Sequence, residues 1–123
     1  MKIKTSELTR AALHWAVAKC EGDASFGLTC EGTKITALLC IENTWRKFSP
    51  SQNWKQAGPI IERERIELAS YGDQWQAVAH LESESIYERG ETILIAAMRC
   101  YVASKLGDEV EIPDDLFSRV EAA

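Results

Sequence analysis

The longest apolar run in the chain extends from Ile93 to Leu106 and is broken only by Arg99, Ser104 and Lys105. At about 100° per residue those three positions scatter round a helical wheel, so no broad polar face exists. The pattern predicts one buried helix. Thr92 stands at its N-cap position, Lys105 in its last turn and Gly107 just beyond its end. The apolar residues sort by size. Leu94, Ile95, Met98, Tyr101, Val102 and Leu106 occupy one side, while Ala96, Ala97, Cys100 and Ala103 leave room for a close neighbour on the other.

Ahead of that helix the periodicity changes several times. Leu8, Ala11, Ala12, Trp15 and Ala18 fall on one side of a first helix, expected to open at Thr5-Ser6-Glu7 with Ser6 as cap and to close at Gly22. Glu7, Arg10 and His14 form its narrow polar sector. Phe26–Cys30 and Lys34–Ile41 read as two strands turning at Gly32. The stretch from Glu42 to Trp54 reads as an irregular segment, because Pro50 argues against a central strand. A helix is expected from about Ser51 to Arg63, capped by Ser51 and punctuated or kinked at Gly58-Pro59. Ile66–Ala69 and Gln74–Leu81 alternate around the turn residues Tyr71-Gly72-Asp73 and form a hairpin. Ser83–Tyr87 fits a short strand or an ordered loop. Asp108–Pro113 is extended, and Asp114 can cap a last short helix through Val120. Three helices and about four strands joined by short turns predict one α+β domain over residues 1–123. The simplest layering is a helix–sheet–helix (α/β/α) sandwich with a mostly antiparallel sheet and a buried C-terminal helix.

Composition narrows the class. The chain has 123 residues and a formal net charge of −5, enough length for a core without staples and no global footprint for duplex nucleic acid. Cys20, Cys30, Cys40 and Cys100 form no C-x-x-C pair, so free thiols in a reducing cytoplasm are expected. The late apolar run is shorter than the about 20 residues that span a bilayer, and no membrane partner is expected. Because one small domain has little to cover a helix without a polar face, a homodimer or higher homo-oligomer is expected.

No phosphate loop, dinucleotide fingerprint, nucleophile elbow or zinc signature occurs, so no cofactor, metal or catalytic set is assigned. Glu62, Glu64 and Glu67 could pair as carboxylates, but Arg63 and Arg65 beside them favour a salt-laced surface. His80 ends an alternating strand and reads as a surface histidine. Arg99 interrupts the apolar helix; it either snorkels or pairs with a glutamate, or it binds an anion at a pocket edge. The segment with Trp45, Arg46, Ser51, Asn53 and Trp54 concentrates aromatic, cationic and small polar groups. Such a set can stack on a base and hold a phosphate, although tryptophans plugging the core would explain it equally well.

Pro50-Ser51-x-x-Trp54 followed by Pro59-Ile60-Ile61-x-x-x-x-Ile66 resembles the NinX-like proteins of lambdoid phages and prophages. Met1–Leu8 and Leu94–Val110 are similar to members of that family as well. The resemblance implies a phage accessory protein with a helix–sheet–helix fold, acting in the cytoplasm of the host bacterium, and it supplies no activity. With the residues above, the expectation is a non-catalytic binder of a small nucleotide-like host molecule, for instance an immune signalling nucleotide that it sequesters. The expected ligand residues are Trp45, Arg46, Ser51, Asn53, Trp54 and Arg99. The alternative is an inhibitor or adaptor of a host protein; a nucleotide-processing enzyme lacks a visible acid, base or metal set.

Overall fold

The computed structural model describes residues 1–22, 26–31, 34–41 and 44–112, with side chains outside 23–47. Eight strands and three α-helices are seen among the described residues, in the order β1 (Lys2–Lys4), α1 (Arg10–Cys20), β2 (Phe26–Glu31), β3 (Lys34–Ile41), β4 (Thr44–Lys47), α2 (Trp54–Glu64), β5 (Glu67–Tyr71), β6 (Gln74–His80), β7 (Ser85–Gly90), α3 (Ile93–Leu106) and β8 (Glu109–Glu111). The strands pair antiparallel throughout, as β1-β8, β2-β3-β4 and β5-β6-β7. The α+β class, the antiparallel pairing and the buried late helix agree with the sequence reading. The number of strands does not, being twice the about four expected.

α3 is the centre of the molecule. One flank packs on β6 and β7, and the others on α1 and α2. Ala96, Ala97, Met98, Cys100 and Val102 are fully buried. The small residues do what their size predicts and let neighbours approach. Gly90, at the end of β7, lies so near that a Cβ on it would sit 2.6 Å from the backbone nitrogen of Ala96. Thr92 caps the helix, its Oγ1 accepting from Ile95 N at 3.2 Å. Gly107 closes it with a φ of +89°. The alanine-rich face of α1 is itself buried.

The start of α1 differs from expectation. Thr5–Glu7 forms a 3-10 turn, Leu8 and Thr9 are extended, and the helix begins at Arg10. Ser6 is therefore not its cap. Thr5 is held elsewhere: its backbone N–H donates to Asp108 O at 2.7 Å and its hydroxyl to Gly107 O at 2.6 Å. That tie pins β1 beside β8 and drops Leu8 into the core. The gain from burying a whole leucine, about 1.5–3 kcal/mol, exceeds what one cap contributes.

Three further boundaries move. Part of the segment read as irregular is strand β4, its Leu38↔Lys47 to Ile41↔Thr44 register completing the sheet beside β3. Thr and Trp favour strands, and Pro50 lies three residues beyond the last paired one. α2 begins at Trp54, not Ser51; Asn53 is its cap, Oδ1 accepting from Lys55 N at 2.9 Å. Pro59 does not end it. The carbonyl that loses a donor belongs to Lys55, and both residues are exposed. β5 ends at Tyr71, and the ambiguous stretch after β6 is strand β7. The helix expected from Asp114 to Val120 lies outside the described residues.

At the far end of α3 a polar clamp joins all three helices. Arg63 Nη2 donates to Glu21 Oε2 at 3.0 Å and to Tyr101 Oη at 3.1 Å, and Tyr101 Oη donates to the same carboxylate at 3.1 Å. Glu64 is bridged by Arg63 Nε at 3.0 Å and Lys105 Nζ at 3.1 Å. Burial alone would raise the Glu64 pKa, but hydrogen bonds from Arg63 and Lys105 outweigh it and bring it below the usual range. The charged run before β5 is thus the salt-laced surface read from its alternation. No group of His, Cys, Asp and Glu suited to a metal occurs among the described residues.

Candidate functional site

The structure brings two hollows against the sheet β5-β6-β7, and they share no lining residue. The first is a cleft of about 470 Å³ lined by Ser51, Gln52, Trp54, Trp75, Glu91, Thr92, Ile93 and Leu94. Its making is local. Ser49-Pro50-Ser51 runs buried beneath the start of α2. Ser49 N donates to Gln56 Oε1 at 2.8 Å, and Gln52 N to Ser49 O at 2.9 Å. This tight turn directs the chain outward at Trp54, which is 56% exposed. Thr92 and the first turn of α3 form the facing wall, and Trp75 on β6 lies between.

Two helix beginnings therefore meet in one cleft. The first-turn N–H groups of a helix have no partner inside it, and its dipole favours an anion there. Trp54 opens α2, and Ile93 and Leu94 open α3. The two indoles add flat apolar surface on which a ring can stack. Glu91, exposed at the rim, is the one carboxylate among the lining residues.

The residues expected at a site do not all gather here. Ser51 and Trp54 do, though Ser51 is buried and its Oγ lies 2.6 Å from His14 Nε2. His14, read as part of a polar sector, is buried at 5% exposure. An imidazole placed on the core side of α1 is satisfied by the serine that precedes α2. Asn53 is committed to capping. Trp45 and Arg46 lie in β4, opposite Cys40 and Leu39, and their side chains fall outside the described residues. Arg99 lines the second hollow. Trp54 is not a core plug, because more than half of it faces solvent. Trp75 was missed: it looked like one more apolar position in an alternating strand, and only the pairing of β6 with β7 places it beside the start of α3.

The second hollow, also about 470 Å³, is lined by Ser6, Gln74, Gln76, Tyr87, Glu88, Arg89 and Arg99. Arg99 donates from Nε to Leu8 O and from Nη1 to Arg89 O, both at 2.9 Å. Burial lowers its pKa, and Glu88 and Glu91 oppose that shift. Burial raises the Glu88 pKa, the Arg99 charge lowers it, and Asp108 raises it further. On the outer face of the sheet His80 bonds Glu67 through Nε2 and lies 2.9 Å from Ser85 Oγ through Nδ1. With His80 and Glu67 both more than half exposed, this row is a surface network. The thiols of Cys20 and Cys100 are unpaired, and desolvation raises each to about 12. They behave as apolar packing groups.

Fold and clefts together define a small α+β domain with an open aromatic cleft, and no helix among the described residues is long and apolar enough to cross a membrane. The family model of bacteriophage P22 NinX matches residues 4–105, so the chain belongs to that phage family. No curated protein matched.

Proposed function

We propose that this NinX-family chain binds a small nucleotide-like molecule of the host cytoplasm and withholds it without converting it. The observation that carries the reading is the meeting of two helix N-termini in a cleft that Trp54 and Trp75 line. A planar base finds indole surface, and a phosphate finds the first-turn amides that the caps Asn53 and Thr92 leave over; neither needs a strongly basic protein. Sequestration of a signalling nucleotide is the role that suits a phage accessory protein. Trp45 and Arg46 join on the sequence argument, Arg46 as the phosphate-holding cation.

The test is depletion and recovery. The protein is incubated with a panel of mono-, di- and cyclic nucleotides, and the free nucleotide is measured before and after heat denaturation. Depletion followed by intact recovery supports the proposal. Recovery of an altered product makes the protein an enzyme. No depletion of any member refutes the small-ligand reading and turns attention to a host protein.

A further inference from the structure

The two edges of the sheet β5-β6-β7 differ. At β7, side chains of α3 take two of the carbonyls: Arg99 Nη1 donates to Arg89 O at 2.9 Å and Cys100 Sγ to Ile86 O at 3.5 Å. β5 pairs with β6 alone among the described residues. Tyr71 and Gln74 flank the two-residue turn Gly72-Asp73, so they form a hydrogen-bonded pair. Such pairs alternate along an antiparallel ladder. Ala69 and Glu67 therefore bond to β6, and the N–H and C=O groups of Leu68 and Ser70 point outward. No backbone hydrogen bond joins Leu68 or Ser70 to an element other than β6 among the described residues. Glu67, Ala69, Ser70 and Tyr71 are all exposed. Exposed edges are ordinarily blunted by lysine, proline or a bulge. Glu67–Tyr71 has none of these.

We propose that β5 pairs antiparallel with β5 of a second copy about a two-fold axis at Ala69, joining two three-stranded sheets into one. This register uses every outward group. Leu68 faces Ser70 of the second copy, Ser70 faces its Leu68, and each such pair exchanges two hydrogen bonds. A two-fold axis requires a self-complementary patch, and the side chains meet that condition. Leu68 stands opposite the buried Ala77, so Glu67, Ala69 and Tyr71 lie on the face turned away from α3. Arg89 stands opposite Gln76 on that same face, and its guanidinium lies 3.8 Å from the Tyr71 ring centre. Ala69 meets Ala69 at the axis, where the small side chains allow close approach. Glu67 comes opposite Tyr71 of the second copy and so reaches the Arg89 that covers it, once on each side of the axis. Any extended strand can bond to this edge; the charge match selects a second copy.

Sedimentation equilibrium of the whole chain is expected to show a dimer at micromolar concentration. Ser70→Pro removes an outward N–H and spares the bonds to β6, so it should yield a folded monomer. Glu67→Arg should weaken dimerisation about tenfold, because two cross-strand pairs become repulsive. Adding Arg89→Glu to that variant should restore it. In the wild-type dimer the Leu68 and Ser70 amides should be protected from hydrogen exchange, a measurement that requires no variant to fold. A monomer at high micromolar concentration would overturn the proposal. So would a dimer whose Leu68 and Ser70 amides exchange freely, or one that a folded Ser70→Pro variant retains. Failure of Arg89→Glu to rescue Glu67→Arg would overturn the pairing about Ala69.

Discussion

The two hollows on either side of Gln74-Trp75-Gln76 are built from the same sheet and the same helix, yet they differ in kind. One is walled by indoles and by the first turns of two helices, so that it presents ring faces and backbone amides. The other is polar, and of its charged side chains Arg99 is held by two backbone carbonyls. Strand alternation enters both: Trp75 and Glu88 belong to the α3 side of the sheet and Gln74 and Gln76 to the other. Trp75 stands opposite Gly90 in the sheet, whereas Gln76 stands opposite Arg89. A single step along β6 changes which face a side chain meets.

The comparison breaks most completely at the element both hollows share. Gly90 ends the strand that carries Glu88 and begins the turn that leads to Thr92. Gly90→Ala forces a Cβ to 2.6 Å from the Ala96 backbone nitrogen, and backbone cannot move aside cheaply. A loss of about 1–3 kcal/mol or more is expected, read as a lowered Tm, with both hollows damaged together. An unchanged Tm would show that β7 and α3 do not approach as described.

Thr92→Ala should separate the two. Its Oγ1 caps α3 at the wall of the tryptophan cleft, and removing it costs about 1 kcal/mol. Denaturant unfolding should show that loss, and nucleotide affinity should fall with it. A loss of stability with unchanged nucleotide affinity would mean that the helix start does not serve the cleft.

The smallest effect is electrostatic. Burial raises the Glu88 pKa in the folded protein, so the folded state binds that proton more tightly than the unfolded chain. The stability this supplies is present below the unfolded carboxyl value of about 4.3 and is lost as pH rises through the folded value. Glu88→Gln should therefore be more stable than wild type at neutral pH, with the gap closing on acidification. A variant less stable at neutral pH would mean that Glu88 has a partner in the folded chain.

How much of this could be read beforehand depends on the range over which each signal acts. α3 was legible in full, from Thr92 to Gly107, because its cap, its apolar run and its terminal glycine all lie within one stretch. The hairpin at Tyr71-Gly72-Asp73 was legible for the same reason. The start of α1 was not. Thr5 answers to Gly107 and Asp108, about a hundred residues away, and no local pattern carries that tie. Asn53 and Ser51 exchanged roles in a similar manner. Both are good caps by type, and only the buried His14 beside Ser51 decides between them. Trp54 stands out in the sequence by its aromatic and polar neighbours, whereas Trp75, which lines the same cleft, sits in a strand whose alternation looks ordinary. Arg99 was marked as an anion-binding candidate. That two backbone carbonyls hold it, and that Glu88 lies in the same hollow, belongs to tertiary structure alone.

The central claim is that Trp54 faces a ligand and not the core. Thermal melting and nucleotide titration of Trp54→Ala, measured side by side, test it most directly. With the side chain 56% exposed, the stability loss should fall well below the about 3–5 kcal/mol of a buried tryptophan. Affinity should drop about 5- to 150-fold, the equivalent of roughly 1–3 kcal/mol of base stacking. A large fall in Tm with unchanged affinity in the protein that remains folded would contradict the account and make Trp54 a structural residue.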